Sequence, residues 1–561
     1  MVNPGWQRLK HFGRSCADHA TGSLIEDKGR EKLKADSTRQ CNFARGTLRE
    51  AAKLSMLSFL HMIKHYWGLA INHTIQGCVS SGWLETSAYT FPWSLKGLRM
   101  IILLACIAVL CGLLYGYNEG VIAGAYEPIK AEFEFSAYWG GLLVASLSIG
   151  GLIGAYLSAY LSDKFGRRST VIIAALFFIT GAVLSSVAQD LFILTFARSL
   201  IGMGIGLSSM AGPQYVSEIA PRKIRGRMLG AFQFMISFGV LIGYLSNLIT
   251  LDLGYSAEAI NRWQFMFLLS AIPAAFLLFG IWSAPESPRW LVMAKRSAEA
   301  EAVFEKIEPT RSVAWVKGNV KRIEEDLAEV ADQKGGWLDL INPRNRPITS
   351  FCVFTFLFQQ LSGINAVILY APELFGDLGF SEEASRLSAT VGLGAALALA
   401  AAASLLLIDR VGRRPLMVYG LPACALSQFL IVGGFLMGDG IGTALSVSGL
   451  CLYVISYSLS MGPLPWVYMS EVFPNYLRAK GMVVAVTVNW VFTFLVVFGF
   501  PKLNQLFTIT EIFLFFAICC CIGTVYAIRR APETKGVSLE DIYELFHKGG
   551  SKTAEGPVAG E

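Results

Sequence analysis

Apolar runs of about twenty residues recur along this chain, broken by short charged or glycine-rich stretches. That spacing constrains the fold more than any other feature. A helix of about twenty residues crosses the roughly 30 Å of a bilayer's hydrocarbon. There every backbone N–H and C=O must find its partner within the chain, so only helices or closed barrels can span it. Barrel strands are about half as long and alternate in polarity, whereas these runs are apolar throughout. Composition agrees: of 561 residues 54% are hydrophobic and only 16% charged, where soluble domains are about a quarter charged. The expected fold is an all-α membrane protein in contact with the lipid bilayer.

Hydropathy places twelve spans, centred near 112, 150, 178, 203, 238, 273, 361, 397, 425, 455, 490 and 518. Lys and Arg cluster in alternate loops: 164–168, 222–227, 289–346, 410–414, 478–480, and from Arg529 onward. The other loops hold the singletons Lys130, Arg262, Arg386 and Lys502. By the positive-inside rule, both termini are expected in the cytoplasm, and an even number of spans agrees. The plasma membrane is the favoured location, with an organelle membrane as the alternative. Because the net charge of +6 resides in these loops, it reports topology, and nucleic acid is not an expected partner. The cysteines within the spans, such as Cys106, Cys111, Cys352 and Cys424, read as small buried apolar groups rather than a disulfide framework.

The chain also repeats itself. "DKFGRRS" at 163–169 returns as "DRVGRRP" at 409–415, "SEIAPRKIRGR" at 217–227 as "SEVFPNYLRAK" at 470–480, and "PESPR" at 285–289 as "PETKG" at 532–536. Two parallel repeats of six spans, with a pathway between them, follow from that order. The expected division is a cytoplasmic extension over 1–97, disordered or lying on the membrane surface, and a six-helix bundle over 98–284. A charged helical linker over 285–346, a second bundle over 347–530 and a cytoplasmic tail over 531–561 complete it. Within the extension, Leu54 to Ile71 is too polar for a good span, and "NHT" at 72–74 matches a glycosylation sequon that a cytoplasmic location would silence.

The repeated loop motifs place opposite charges at one membrane face. Asp163, Arg167 and Arg168 answer to Asp409, Arg413 and Arg414; Glu218, Arg225, Glu286 and Arg289 stand near them in the first half, Glu471, Arg478 and Glu533 in the second. Arginine forks bind carboxylates in bidentate fashion. Such a set can latch the halves together on one side and release as they rock apart; plain topology anchoring is the simpler alternative.

These residues, with "QQLSGINAVILY" at 359–370, "GPLPWVYMSEVFP" at 462–474 and "NW" at 489–490, closely resemble the sugar porter family of the major facilitator superfamily, from about Leu98 to Leu545. The resemblance implies a twelve-helix major facilitator fold, alternating access, and a hexose or similar polyol as the substrate.

The chemistry of the residues agrees. A sugar is neutral and crowded with hydroxyls, so its site needs amides, which donate and accept together, and an aromatic face. Gln359, Gln360 and Asn365 lie in the seventh span around a Ser362–Gly363 break. Trp466, after two prolines, offers a ring to stack on a pyranose, with interfacial anchoring as its alternative role. Asn489 and Trp490 complete the second-half wall, and Gln233 matches a sugar-binding glutamine of the family. Two departures stand out. The eighth span, "GLGAALALAAAASLLLID", lacks the asparagine often found there, and the tenth has "YSLSMGP", leaving Tyr457 and Ser458 as the lining.

No nucleophile–base or metal constellation is apparent, and the histidines lie in the extension and tail, so an enzyme, a metal or a cofactor is not expected. A non-transporting sugar sensor is the weaker alternative, because a signalling tail of any length is not seen after "PETKGVSLEDIYELF". Proton coupling turns on "GYNEG". In proton-coupled sugar porters this position holds an Asp paired with an Arg of the fourth span. Here Arg198 is present, but the partner position is Asn118, which does not titrate, and facilitated diffusion is expected. Glu119 lies about 100° further around the helix. A helix break at Gly116 or Gly120 would turn it toward Arg198 and allow proton symport. Otherwise it lines the outer mouth of the cavity.

Overall fold

The computed structural model describes residues 95–252, 261–309, 311–332, 336–438, 440–537 and 546. The readings made for the extension up to residue 94, and for the tail beyond residue 537 other than Phe546, lie outside the described residues. Residues 91–561 form one compact unit.

Among the described residues the secondary structure is helical throughout. The first half comprises α1 (Leu95–Phe133), α2 (Ala137–Phe165), α3 (Arg167–Ser186), α4 (Leu191–Ile219), α5 (Arg222–Asp252), α6 (Arg262–Leu269) and α7 (Ala271–Ser283). Three shorter helices follow: α8 (Pro288–Met293), α9 (Ser297–Ile307) and α10 (Val313–Asp332). The second half holds α11 (Arg346–Leu361), α12 (Ile364–Leu369), α13 (Ala371–Asp377), α14 (Glu383–Val411) and α15 (Arg413–Met437). It ends with α16 (Ile441–Leu459), α17 (Leu464–Val472), α18 (Asn475–Leu506) and α19 (Ile509–Arg530). Among the described residues, twelve stretches are long and apolar enough to cross a membrane, three of them built from two consecutive helices: α6 with α7, α11 with α12, and α16 with α17. Each contains one of the expected span centres.

Local chemistry starts and stops these helices. Asp190 caps α4 by accepting from the Ile193 N–H at 2.8 Å. Thr508 and Glu511 form a reciprocal capping box at α19, satisfying two donors that a helix start leaves free. α11 ends at the Ser362–Gly363 pair, where Gly363 takes φ +83°, a conformation costly for a residue with a Cβ. The carbonyl of Ser362, freed by the break, accepts from Gln428 Nε2 on α15 and from the Tyr453 hydroxyl on α16, each at 2.6 Å. A carbonyl without partners at this depth would cost several kcal/mol.

Within the halves, small residues bring backbones into contact. α1 lies on α5 along Gly112, Gly116 and Gly120; a Cβ on Gly116 would come 1.8 Å from the carbonyl oxygen of Ile236, and one on Gly120 would come 2.4 Å from that of Val240. This spacing of four is the small-residue stripe by which membrane helices pack closely. It also keeps α1 unbroken from Leu95 to Phe133, so the break that would have redirected Glu119 does not occur.

The halves meet along α2 with α18 and α5 with α14, a pseudo-symmetric pair of contacts. α9 buries Ala300, Val303 and Ile307 on one stripe and packs on α1, α8 and α10.

Candidate functional site

A cavity of about 1650 Å³ runs between the halves, from the amide-rich break of the seventh span to a rim that includes Asp163, Arg289, Asp409 and Arg478. It therefore reaches the face that carries the basic loops. At the other end the halves are closed. Tyr244 of α5 donates to the Ile368 carbonyl of α12 at 2.6 Å. The ring of Tyr126 meets Tyr370 edge-on at 5.6 Å, and Tyr370 stacks on Phe500 at 4.9 Å. Arg262 of α6 pairs with Glu383 of α14 at 2.7 Å. Singled out in the sequence only as a lone loop cation, Arg262 thus ties one half to the other.

Gln233, Gln359, Gln360, Asn365, Tyr457, Ser458, Trp466 and Asn489 all line the cavity. Three amides form a relay: Asn365 Nδ2 donates to Gln360 Oε1 at 2.5 Å, and Gln360 Nε2 donates to Asn489 Oδ1 at 2.6 Å. Gln359 Nε2 donates to the carbonyls of Met461 and Gly462 at the Gly-Pro break between α16 and α17, while its Oε1 has no partner among the described residues. Trp466 is half-buried and held edge-on by Phe356 at 5.2 Å. The eighth span contributes Leu397, Ala401 and Ser404, an almost apolar wall where the sequence lacked an asparagine. Trp490 departs from its expected place. Its ring is buried, stacked on Tyr115 at 6.0 Å and set against Gly151, and it stands behind the wall that Asn489 forms.

The sequence reading missed Tyr115, Ser237 and Thr493, which also line the cavity. Tyr115 was within reach: it lies four residues before Glu119, hence on the same face of α1.

Asn118 and Arg198 are fully buried. Asn118 donates to the Leu114 carbonyl of its own helix at 2.8 Å. Arg198 Nε donates to the Leu143 carbonyl at 3.2 Å, and its guanidinium lies 5.4 Å from the centre of the Phe267 ring, leaving Nη1 without a hydrogen-bond partner among the described residues. No ion pair or hydrogen bond joins Arg198 to Asn118 or Glu119 among the described residues. Glu119 instead lines the cavity.

The loop charges form the same constellation twice. Arg167 Nε sits 3.1 Å from Glu218, and Arg413 Nη2 sits 3.1 Å from Glu471. Asp163 and Asp409 flank those arginines at 3.6 and 3.4 Å. The Ser287 hydroxyl donates to Glu218, as Thr534 does to Glu471. Tyr215 donates to the Pro285 carbonyl, and Tyr468 to that of Pro532. Glu286 accepts from the Arg168 N–H, and Glu533 from those of Arg413 and Arg414. Burial raises the Glu286 carboxyl above its usual range, against the backbone N–H groups that hold its charge. Each of these ion pairs joins helices of one half. The expected latch would need ion pairs across the pathway, and none of these pairs crosses it; Arg289 and Arg478 lie on the cavity rim, and Arg225 lies in the first turn of α5.

A twelve-span bundle of two like halves, with a cavity walled by amides and an aromatic ring, defines a membrane carrier for a small polar solute. The profile described as "Sugar (and other) transporter" matches residues 104–546, and the chain belongs to this family, the sugar porters of the major facilitator superfamily. It is an integral, multi-pass sugar transporter. It is 33% identical to the arabinose-proton symporter of Bacillus subtilis (strain 168) over 451 residues, covering 80% of this chain and 95% of that one. It is 33% identical to the glucose transporter GlcP of Staphylococcus epidermidis over 459 residues, covering 80% and 98%. The partially occluded inward-open structure of the xylose transporter XylE from E. coli superposes with a TM-score of 0.68 at 28% identity, covering 78% of this chain and all of that one.

Proposed function

We propose that this protein carries a monosaccharide, a hexose resembling glucose, by alternating access and facilitated diffusion. The observation that supports this reading is the relay of Asn365, Gln360 and Asn489 on the cavity wall. Amides at this depth answer hydroxyls with both donors and acceptors, and Trp466 supplies the apolar face. The relatives' sugars, arabinose, xylose and glucose, belong to those proteins; hexose is our reading for this one. We place both termini in the cytoplasm, most simply at the plasma membrane, so that the cavity opens inward and the aromatic seam closes the outside. In this frame Arg168, Arg414 and their carboxylate partners gate turnover.

Uniport is supported by Asn118, whose amide holds no exchangeable charge, and by Arg198, which is engaged by a carbonyl and a ring. The second reading, proton symport, draws on Glu119, a carboxyl in the cavity itself, and on a relative named as a proton symporter. Proteoliposomes separate the two readings. A uniporter equilibrates sugar and never accumulates it. Uphill accumulation under an imposed pH gradient, lost in Glu119→Gln, would overturn uniport; failure to move any monosaccharide would overturn the carrier reading altogether.

A further inference from the structure

Glu119 is only 9% exposed, yet it lines the cavity. Among the described residues it has no ion pair and no hydrogen bond. The other charged side chains on the cavity wall, such as Asp163, Arg289 and Arg478, belong to the basic face. The titratable groups near it include the phenols of Tyr115, Tyr244 and Tyr457. The hydroxyl of Tyr244 is given to Ile368. Tyr115 offers its ring to Trp490. Arg198, a fully buried cation of the same half, is engaged by Leu143 and Phe267. A carboxyl so deep in a membrane protein calls for a compensating donor, and among the described residues no cation pairs with it.

We propose that Glu119 is a substrate-binding residue that ranks sugars by charge. It receives the donors of the bound monosaccharide on the first-half wall, across the cavity from the second-half amides. An amino-deoxyhexose is then held more tightly than its neutral parent, and a hexuronate more weakly. This rests on the monosaccharide reading above and adds a substrate class to it. The amides cannot make this distinction, because a neutral amide answers a hydroxyl and an ammonium alike. A carboxylate does: its hydrogen bond to an ammonium is charge-assisted, and it repels another carboxylate strongly where the dielectric is low.

The test is equilibrium competition on the purified full-length protein, with radiolabelled glucose displaced by glucose, glucosamine or glucuronate. The wild type should bind glucosamine about tenfold more tightly than glucose, and glucuronate more weakly than both. Glu119→Gln keeps the shape, removes the charge and should bring the three affinities together; Glu119→Asp should preserve the order. Should Glu119→Gln fail to fold, as judged by gel filtration, Glu119→Thr serves as the neutral variant. An unchanged ranking in the neutral variant, or no ranking in the wild type, overturns the proposal while leaving the carrier reading intact. A wild type that binds none of the three sugars overturns the carrier reading itself.

Discussion

Gln360 and Asn489 are joined amide to amide at 2.6 Å, and the oxygen of Gln360 takes a second bond from Asn365 at 2.5 Å. Three elements, α11, α12 and α18, therefore meet through groups that a sugar's hydroxyls also seek. Binding exchanges one set of hydrogen bonds for another, which permits an affinity low enough for release.

Removing one member of the relay should cost sugar affinity. Gln360→Ala leaves both Asn489 and Asn365 without their partner and leaves a hydroxyl unanswered. The expected loss is roughly 1–3 kcal/mol, about fivefold to 150-fold in Kd, read by equilibrium binding. Trp490→Phe, behind the wall, should change affinity far less than Trp466→Ala.

The twin loop constellations should govern rate rather than binding. Arg168 Nη2 reaches the Trp282 carbonyl at 2.6 Å, and Arg414 Nη2 that of Ile528 at 3.3 Å. Both act at the C-terminal ends of α7 and α19, away from the amide relay. Arg168→Ala and Arg414→Ala should lower turnover while leaving Kd nearly unchanged. An equal loss of both in folded protein would count against this.

Gly166 and Gly412 take φ +96° and +99°, and a Cβ on either would meet the carboxyl of Glu286 or Glu533, at 2.2 and 2.6 Å. Backbone strain and steric conflict act together, so Gly166→Ala and Gly412→Ala should each destabilise by about 1–3 kcal/mol. Thermal unfolding in detergent would show it, and the two losses should be alike because the surroundings are.

The closed seam should respond to pH. Burial, and then the neighbouring Glu127 carboxyl with which it shares a hydrogen bond, push Glu373 up to about 8; Asp377 adds to this and Lys130 opposes it. A carboxyl raised in the closed form favours closure while protonated. That contribution is complete below the ordinary carboxyl range and is lost as pH rises through about 8. Alkaline medium on the seam side should therefore speed labelling of a cysteine placed at Ser237, and Glu373→Gln should flatten the response.

How much of this was legible beforehand depended on the range of each signal. The spans and the duplicated halves were plain, because length, hydropathy and repeated motifs are properties of contiguous sequence. The amides and Trp466 were found because polar groups within apolar runs are conspicuous. The partners were not: "DKFGRRS" and "PESPR" promise opposite charges, yet whether Arg167 meets Glu218 within its own half or a carboxylate across the pathway is a matter of helix placement. Glu119 illustrates the same limit. Its angle on α1 was known, but its destination depended on whether the helix broke, and Gly116, read as a possible break, proved to be a packing contact with α5. The "NW" pair puts Trp490 on the wall with Asn489, but neighbours on a helix point in different directions.

That contact between α1 and α5 has a mechanical meaning. Where two helices touch through interlocking side chains, a small push can be absorbed by rotamer changes before the backbone responds. Gly116 and Gly120 leave no side chain between them and the carbonyls of Ile236 and Val240, so there is no slack to take up. A displacement of α1, which carries Glu119, is handed undiminished to α5, which carries Gln233 and abuts α14 of the other half. The joint works like a keyed shaft rather than a spring.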